Sequence, residues 1–336
     1  MNQHKSPRRL FARGFTITEL MIALVLSIFL VGGVLSVYVA NVRTSQVNDM
    51  MSQAQQSSQI SFQLLTRDIQ HAGFSGCGNM ISERVVNALE DTSLPWWAYW
   101  NNLDEPLNPI FYAGLQGYES SKIALPPFGG SEVTAVATAD AIRIMYGRNV
   151  SVSVVSHTLT AKPHLVINEN KAGIVANDIV IGCDAKMAAI FQITSVVGNE
   201  LNHDVNIGIP GNADNNFGFG VNGGARVPQT LTPDAGMLIP LESMAWFVGS
   251  EGGKKSLYRV ALVGGQMYNE LILSGVDDME LQYLQLGHAN YVDAHEVASW
   301  QDVTAVRVTI VLQDHAQTPM PAAMRTITQV INLRNH

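Results

Sequence analysis

Residues 13–24 read Arg13-Gly14-Phe15-Thr16-Ile17-Thr18-Glu19-Leu20-Met21-Ile22-Ala23-Leu24, and the apolar run behind them continues to Ala40 without a charged side chain. A run of that length crosses a bilayer core as a helix, which needs about 20 residues. Lys5, Arg8, Arg9 and Arg13 stand in front of it, and no acid accompanies them. A basic flank of this kind is held on the cytoplasmic side, which sends the rest of the chain across the membrane. Glu19 sits just inside the apolar run. A carboxylate in hydrocarbon costs roughly 2.5–3.5 kcal/mol on insertion scales, so its presence asks for a partner. The run is longer than the core of a secretory signal, about 7–15 residues, and no A-x-A cleavage site follows it. An uncleaved signal anchor would explain the basic flank and the apolar run, but not Glu19 or the Gly14-Phe15 pair.

Outward from this stretch, the chain of 336 residues has 14% charged residues and a net charge of -8. Four of its 20 basic residues lie in the leader, so the remaining 16 face 28 acidic ones. An acidic head without a Lys/Arg cluster argues against direct nucleic-acid binding, which needs clustered cations. The only two cysteines are Cys77 and Cys183. In an exported head an even pair reads as a disulfide, the alternative being two buried thiols. A bond closing a loop near a hundred residues is worth about 4.7 kcal/mol in the chain-entropy model.

From Phe15 to about Phe74 no proline interrupts the chain. Sixty residues of helix would span roughly 90 Å. The first half is apolar all round, as a membrane span or filament core must be. The adjacent Gly32-Gly33 pair costs about 1 kcal/mol per residue in a helix and marks a soft point. After a polar stretch at 43–59, Phe62, Leu65, Ile69 and Ala72 follow a 3-4-3 spacing that predicts a face packed on a sheet. Gly73 and Gly76 end the helix. Strands are predicted at Asp140–Tyr146 and Val150–Ser156, as a hairpin about Gly147-Arg148-Asn149, and as a second pair at Ile174–Cys183 and Ala188–Val197. Further strands fall at Ser243–Gly249, Ser256–Val263, Val276–Leu286, Thr304–Leu312 and Met324–Leu333. The expected fold is α+β: a long N-terminal helix, its apolar half protruding, packed on an antiparallel sheet head with large loop insertions.

The stretch Arg13 to Leu24 resembles the processing site of type IV prepilins and type II secretion pseudopilins. It combines a basic leader, Gly before the cut, Phe after it, Glu four residues beyond Phe, and an apolar helix. Ala72-Gly73-Phe74-Ser75-Gly76-Cys77, Asp178-Ile179-Val180-Ile181-Gly182-Cys183, Gly275 to Tyr283, Trp300 to Val308 and the ending Leu333-Arg334-Asn335 are similar to the PilW-type minor pilins. The resemblance leaves residues 79–139 and 199–242 uncovered. It implies four parts: a leader peptide at 1–14, a transmembrane and filament-core helix half at 15–42, an amphipathic half at 43–76, and an extracytoplasmic β-rich head at 77–336.

What the resemblance implies for single residues is specific. Gly14 and Phe15 flank the prepilin peptidase cut, Phe15 is N-methylated, and Glu19 docks the subunit into the filament. The physical reading agrees, since Glu19 of one subunit paired with the freed Phe15 amine of a neighbour would relieve two charges that are each costly in lipid. Cys183 would join Cys77 and clip the helix end to the head. The implied function is that of a structural minor pilin that primes assembly of a type IV pilus and enters it near the tip, serving twitching motility, cell adhesion and DNA uptake through the fibre. The implied partners are other minor pilins, the major pilin, the prepilin peptidase, the inner-membrane assembly platform and a tip adhesin. Before assembly the chain would sit in the bacterial inner membrane as a single-pass protein with a periplasmic head, and afterwards in the pilus on the cell surface. The rival reading within the superfamily is a J-like minor pseudopilin of a type II secretion system. A third reading is a membrane-anchored protein that binds a glycan or a partner.

That third reading rests on Pro95-Trp96-Trp97-Ala98-Tyr99-Trp100. Trp96, Trp97, Tyr99 and Trp100 form either a binding surface or a set of anchors that pin a loop to the body. Other chemistry is sparse. No GxSxG, HExxH or P-loop pattern occurs, and the nine histidines are scattered, which reads as surface or satisfied side chains. No enzyme activity and no cofactor are expected. Gly218 to Gly223 matches GxGxxG in letters, but Arg226-Val227-Pro228 follows where a helix is required. Asn212, Asp214 and Asn216 have the spacing of part of a calcium loop without its closing Glu, so a solvated loop without metal is expected.

Overall fold

The computed structural model describes residues 16–77, 85–89, 95–98, 114–122, 124–159, 162–218, 227–314 and 325–334. Gly14, Phe15, Tyr99, Trp100 and most of the GxGxxG match lie outside these residues. The chain divides into two compact units, with the boundary between Gln56 and Ser57, inside the helix α1 (Ile17–His71). From Ile17 on, the described residues of the first unit are helix. Its apolar side chains from Ile17 to Val42 are exposed, and the span Ile17–Asp49 is long and apolar enough to cross a membrane. The helix runs unbroken through Gly32 and Gly33.

In the second unit α1 becomes one-sided. Phe62, Leu65, Ile69 and Ala72 are buried, as their spacing predicts, and so are Ser58, Ser61 and Asp68 on the same face. These residues recur at three- and four-residue intervals, which stacks them along one side of a helix. Gly73, at φ +74, turns the chain out of the helix in the left-handed conformation that only glycine adopts freely. Its N–H donates to the carbonyl of Met145, and the Phe74 carbonyl accepts from Gly147 N–H.

Among the described residues the head has seventeen strands. In chain order they are β1 (Val85–Asn87), β2 (Leu115–Tyr118), β3 (Thr134–Ala135), β4 (Ala141–Gly147), β5 (Val152–Thr158), β6 (His164–Ile167), β7 (Ile179–Cys183), β8 (Ala188–Gln192), β9 (Ser195–Val197), β10 (Glu200–Asn202), β11 (Met237–Glu251), β12 (Lys254–Val263), β13 (Gln266–Ser274), β14 (Val276–Gln285), β15 (Val292–Asp293), β16 (Val303–Leu312) and β17 (Thr326–Asn332). The first thirteen form one sheet; the last four form a second in the order β15-β14-β16-β17. Pairing is antiparallel throughout except for β1 with β8. The fold is α+β, with a long N-terminal helix and a largely antiparallel head.

Strand β11 organises the larger sheet. Its first part pairs with β7 and β5, and its second part with β4 and β12. Pro240 marks the change. It has no N–H to give, and its carbonyl accepts from Arg148. The expected hairpin of Asp140–Tyr146 with Val150–Ser156 is therefore a correction. β4 and β5 do not pair with each other; both pair with β11, one after the other. Gly147-Arg148-Asn149 steps the chain past Pro240 instead of reversing it. The β11–β12 turn falls between the two strands expected at 243–249 and 256–263, with Gly252 and Gly253 both at positive φ. The β12–β13 hairpin, turning at Gly264-Gly265, was not expected. β13 is an edge strand exposed along most of its length, so its side chains carry no alternation to read.

Two apolar clusters fill the larger sheet's surroundings. One gathers Phe128, Met145, Ile181, Ile239 and Phe247 with the 96–98 segment. The other gathers Val154, Leu165, Phe191, Phe217, Leu231 and Leu238.

Candidate functional site

At the start of α1, Thr16 and Glu19 cap each other. Thr16 N–H donates to Glu19 Oε2 at 3.1 Å, and Glu19 N–H donates to Thr16 Oγ1 at 3.3 Å. Thr16 Oγ1 also donates to the same carboxylate oxygen at 3.0 Å. This is the reciprocal capping-box arrangement, set by Thr and Glu three residues apart. It satisfies N–H groups at the helix start that have no partner within the helix. The Thr16-x-x-Glu19 spacing that sets this cap is legible in the sequence. Glu19 is exposed, beside a run of exposed apolar side chains.

Where α1 meets the head, the fixing contact is ionic and was not foreseen. Asp68 is fully buried. Its Oδ2 accepts from Arg259 Nε of β12 at 2.7 Å and from Trp246 Nε1 of β11 at 3.1 Å. Its Oδ1 accepts from Arg67 at 3.2 Å. Arg259 in turn donates to Glu270 of β13 at 3.0 Å. By strand alternation Trp246 lies on the opposite side of β11 from Ala245 and Phe247, which belong to the cluster with Trp96 and Trp97. Helix and aromatic loop thus use opposite faces of one strand.

Just past the helix, Cys77 and Cys183 are bonded, 106 positions apart in sequence. Cys183 ends β7 and is buried. The bond joins the exit from α1 to the sheet two strands from β4.

The Trp96-Trp97 pair is packed. Trp96 and Trp97 are 8% and 5% exposed, so these two do not form the binding surface that the sequence left open. Trp96 stacks edge-on against Phe128 with centroids 5.0 Å apart. The Trp97 carbonyl accepts from Ser243 Oγ at 2.6 Å, and that of Trp96 from Arg143 at 3.2 Å. Burial of two indoles at this price in side-chain freedom fits an anchor for the loop.

Part of the 203–218 insertion is also anchored. Gln192 and Asn212 are buried and hold each other: Gln192 N–H donates to Asn212 Oδ1 at 2.7 Å, and Asn212 Nδ2 donates to the Gln192 carbonyl at 2.9 Å. Gln192 Nε2 also donates to the Ile209 carbonyl at 2.7 Å, and Gly211 N–H to Gln192 Oε1 at 2.8 Å. Every side-chain polar atom of that buried pair has a partner, which offsets the cost of burying the loop. Asp214 accepts from Asn216 N–H at 2.7 Å. Among the described residues no group of three His, Cys, Asp or Glu side chains is placed to hold a metal.

The histidines depart from the expected scatter. His157 and His203, 46 residues apart, face each other with Nε2 atoms 3.1 Å apart. Their spacing in sequence gives no hint of this; only the pairing of β5, β6 and β10 brings them together. Burial pushes His157 down to about 4 and His203 to about 3, with His164 adding to both shifts.

No protein-family model and no curated protein matches this chain. Among solved structures, it is similar to a chain from the crystal structure of the GspK-GspI-GspJ complex of the enterotoxigenic Escherichia coli type 2 secretion system. The two are 12% identical, with 84% of this chain and 99% of that chain covered, at a TM-score of 0.33. A likeness this loose assigns neither family nor function.

Proposed function

We propose that this chain is a PilW-type minor pilin, which helps prime a type IV pilus and is incorporated near its tip. The observation that carries the reading is the helix α1. Its first half exposes apolar side chains from Ile17 to Val42 around a single carboxylate, and its second half is bound into a large head by Asp68 and followed by a disulfide. A span that is merely an anchor needs no carboxylate. A subunit that must leave lipid and pack against neighbouring helices needs an apolar surface all round and a polar contact to set its register.

In this account the chain waits in the inner membrane until Gly14-Phe15 is cut. Glu19, held by Thr16 on its own helix, then receives the Phe15 amine of a neighbouring subunit. Leu20–Ala40 exchanges lipid for the helices of other minor pilins and the major pilin. The prepilin peptidase and the assembly platform act on the leader and the helix, not on the head. The role is structural, without catalysis or cofactor, and motility, adhesion and DNA uptake belong to the fibre.

Deletion of the gene followed by parallel assays of twitching, surface pili and type II secretion tests this. The expected result is loss of pili and twitching with secretion intact. Loss of secretion with pili and twitching preserved would move the chain to the J-like pseudopilin role.

A further inference from the structure

His157 on β5 accepts the Leu231 N–H on its Nδ1 at 2.9 Å. Its proton therefore resides on Nε2, and it donates that proton to His203 Nε2 at 3.1 Å. The one remaining proton of His203 is then on Nδ1, which is buried without a partner among the described residues. Both rings pack against Phe217, at 5.3 and 5.1 Å between centroids, and Phe217 stacks on Phe191 of β8 at 4.6 Å. The cluster thus touches both flanks of the excursion between β10 and β11: residues 203–218 through His203 and Phe217, and residues 227–236 through Leu231.

The pair has no neutral way to take up a proton. A proton on His157 must go to Nδ1, where it meets the Leu231 N–H. A proton on His203 must go to Nε2, where it meets the Nε2–H of His157. Either addition sets two donors face to face in an aromatic nest. The surrounding charges give no relief. His164 on β6 acts on both rings as a like charge. Asp184 is taken by Thr232 and by the N–H groups of Lys186 and Met187, and Asp204 by Thr194 Oγ1. Glu200, Asp234 and Lys162 are exposed to solvent. The same tautomers disfavour a metal ion between the rings, because the Nε2 of His157 carries a proton.

We propose that His157 and His203 form an acid-released clasp, which holds the two flanks of the 203–236 excursion against β5 and β8 and lets them go when a ring is protonated. The inference is independent of the pilin reading. The sign follows from linkage. Released histidines titrate near 6.5, while the clasped rings titrate at about 4 and about 3. The clasp is at full strength above pH 6.5 and weakens as pH falls, by about tenfold in opening constant per pH unit for each ring.

The test is amide hydrogen exchange by mass spectrometry on the full chain in detergent micelles from pH 7 to pH 4, corrected for the intrinsic pH dependence of exchange. Wild type should lose protection in 203–218 and 227–236 as pH falls below 6.5, by roughly tenfold or more per unit, while β14 and β16 stay protected. His203→Phe, which keeps the aromatic packing and removes one titrating ring, should show a shallower loss. Constant wild-type protection down to pH 4, or an unchanged slope in His203→Phe, overturns the proposal. Should that variant fold poorly, NMR titration of the wild-type rings decides: midpoints below pH 5 support the clasp, and midpoints near 6.5 for both rings overturn it.

Discussion

Arg259 Nε donates to Asp68 Oδ2 across 2.7 Å, joining β12 to α1 over 191 positions of sequence. Asp68 has no exposed surface, and the indole of Trp246 completes its coordination. A buried pair of this kind contributes little net stability against an apolar replacement, but it is costly to break on one side only. Its geometric consequence is a fixed register between the helix and the sheet. Replacing Arg259 with Leu should destabilise the head by about 3–5 kcal/mol, because the Asp68 carboxylate stays behind. Arg259→Leu with Asp68→Leu together should recover much of that loss. Urea unfolding of the full chain in micelles measures both.

Reduction of Cys77–Cys183, or Cys77→Ser with Cys183→Ser, should cost about 2–5 kcal/mol. The same unfolding experiment, run with and without reductant, checks it. Equal midpoints would show that Asp68 and the strand pairing hold the helix exit without the bond.

Asp140 supplies a pH dependence opposite in sign to that of the histidines. Burial, the largest cause, raises its carboxyl to about 6, although Leu281 N–H donates to it. The folded value lies above the unfolded one, so stability is fully present below about pH 4 and is lost as pH rises toward 6. Asp140→Asn keeps an acceptor for Leu281 and removes the charge. Its stability should fall less than that of wild type as pH rises from 4 to 6, and at neutral pH it should exceed that of wild type.

The cap and the charge of Glu19 separate by mutation. Glu19→Gln keeps an acceptor for Thr16, while Glu19→Ala loses it, at about 1 kcal/mol of local helix stability. Both should insert in the membrane and be processed. Both should be depleted from sheared pili if, as proposed, the Glu19 charge meets the Phe15 amine of a neighbour. Depletion of the alanine variant alone would assign the residue to capping.

The helix was legible because its signals are local: an uninterrupted apolar run, the 3-4-3 face of Phe62 to Ala72, and Gly73 as a stop. The strand at 304–312 was legible for the same reason, by alternation between buried and half-buried positions, whereas 243–249 is an apolar-rich run buried on both faces. What stayed hidden depends on residues far apart. Asp68 reads as a surface acid until β11 and β12 bring Trp246 and Arg259 over it. β4 and β5 look like a hairpin because their separation fits one, and only Pro240 on a distant strand shows why they do not pair. The 203–218 stretch looks solvated by composition, yet Asn212, His203 and Phe217 are buried through contacts made by β8 and β5.

The central claim is that residues 13–19 are processed and then used in assembly. The most direct measurement is mass spectrometry of the N-terminal peptide of the full chain purified from a cell that carries its own prepilin peptidase. The account expects a chain that begins at N-methylated Phe15. A chain that retains its leader, with Gly14 still joined to unmodified Phe15, would contradict it and leave the apolar run as an anchor alone.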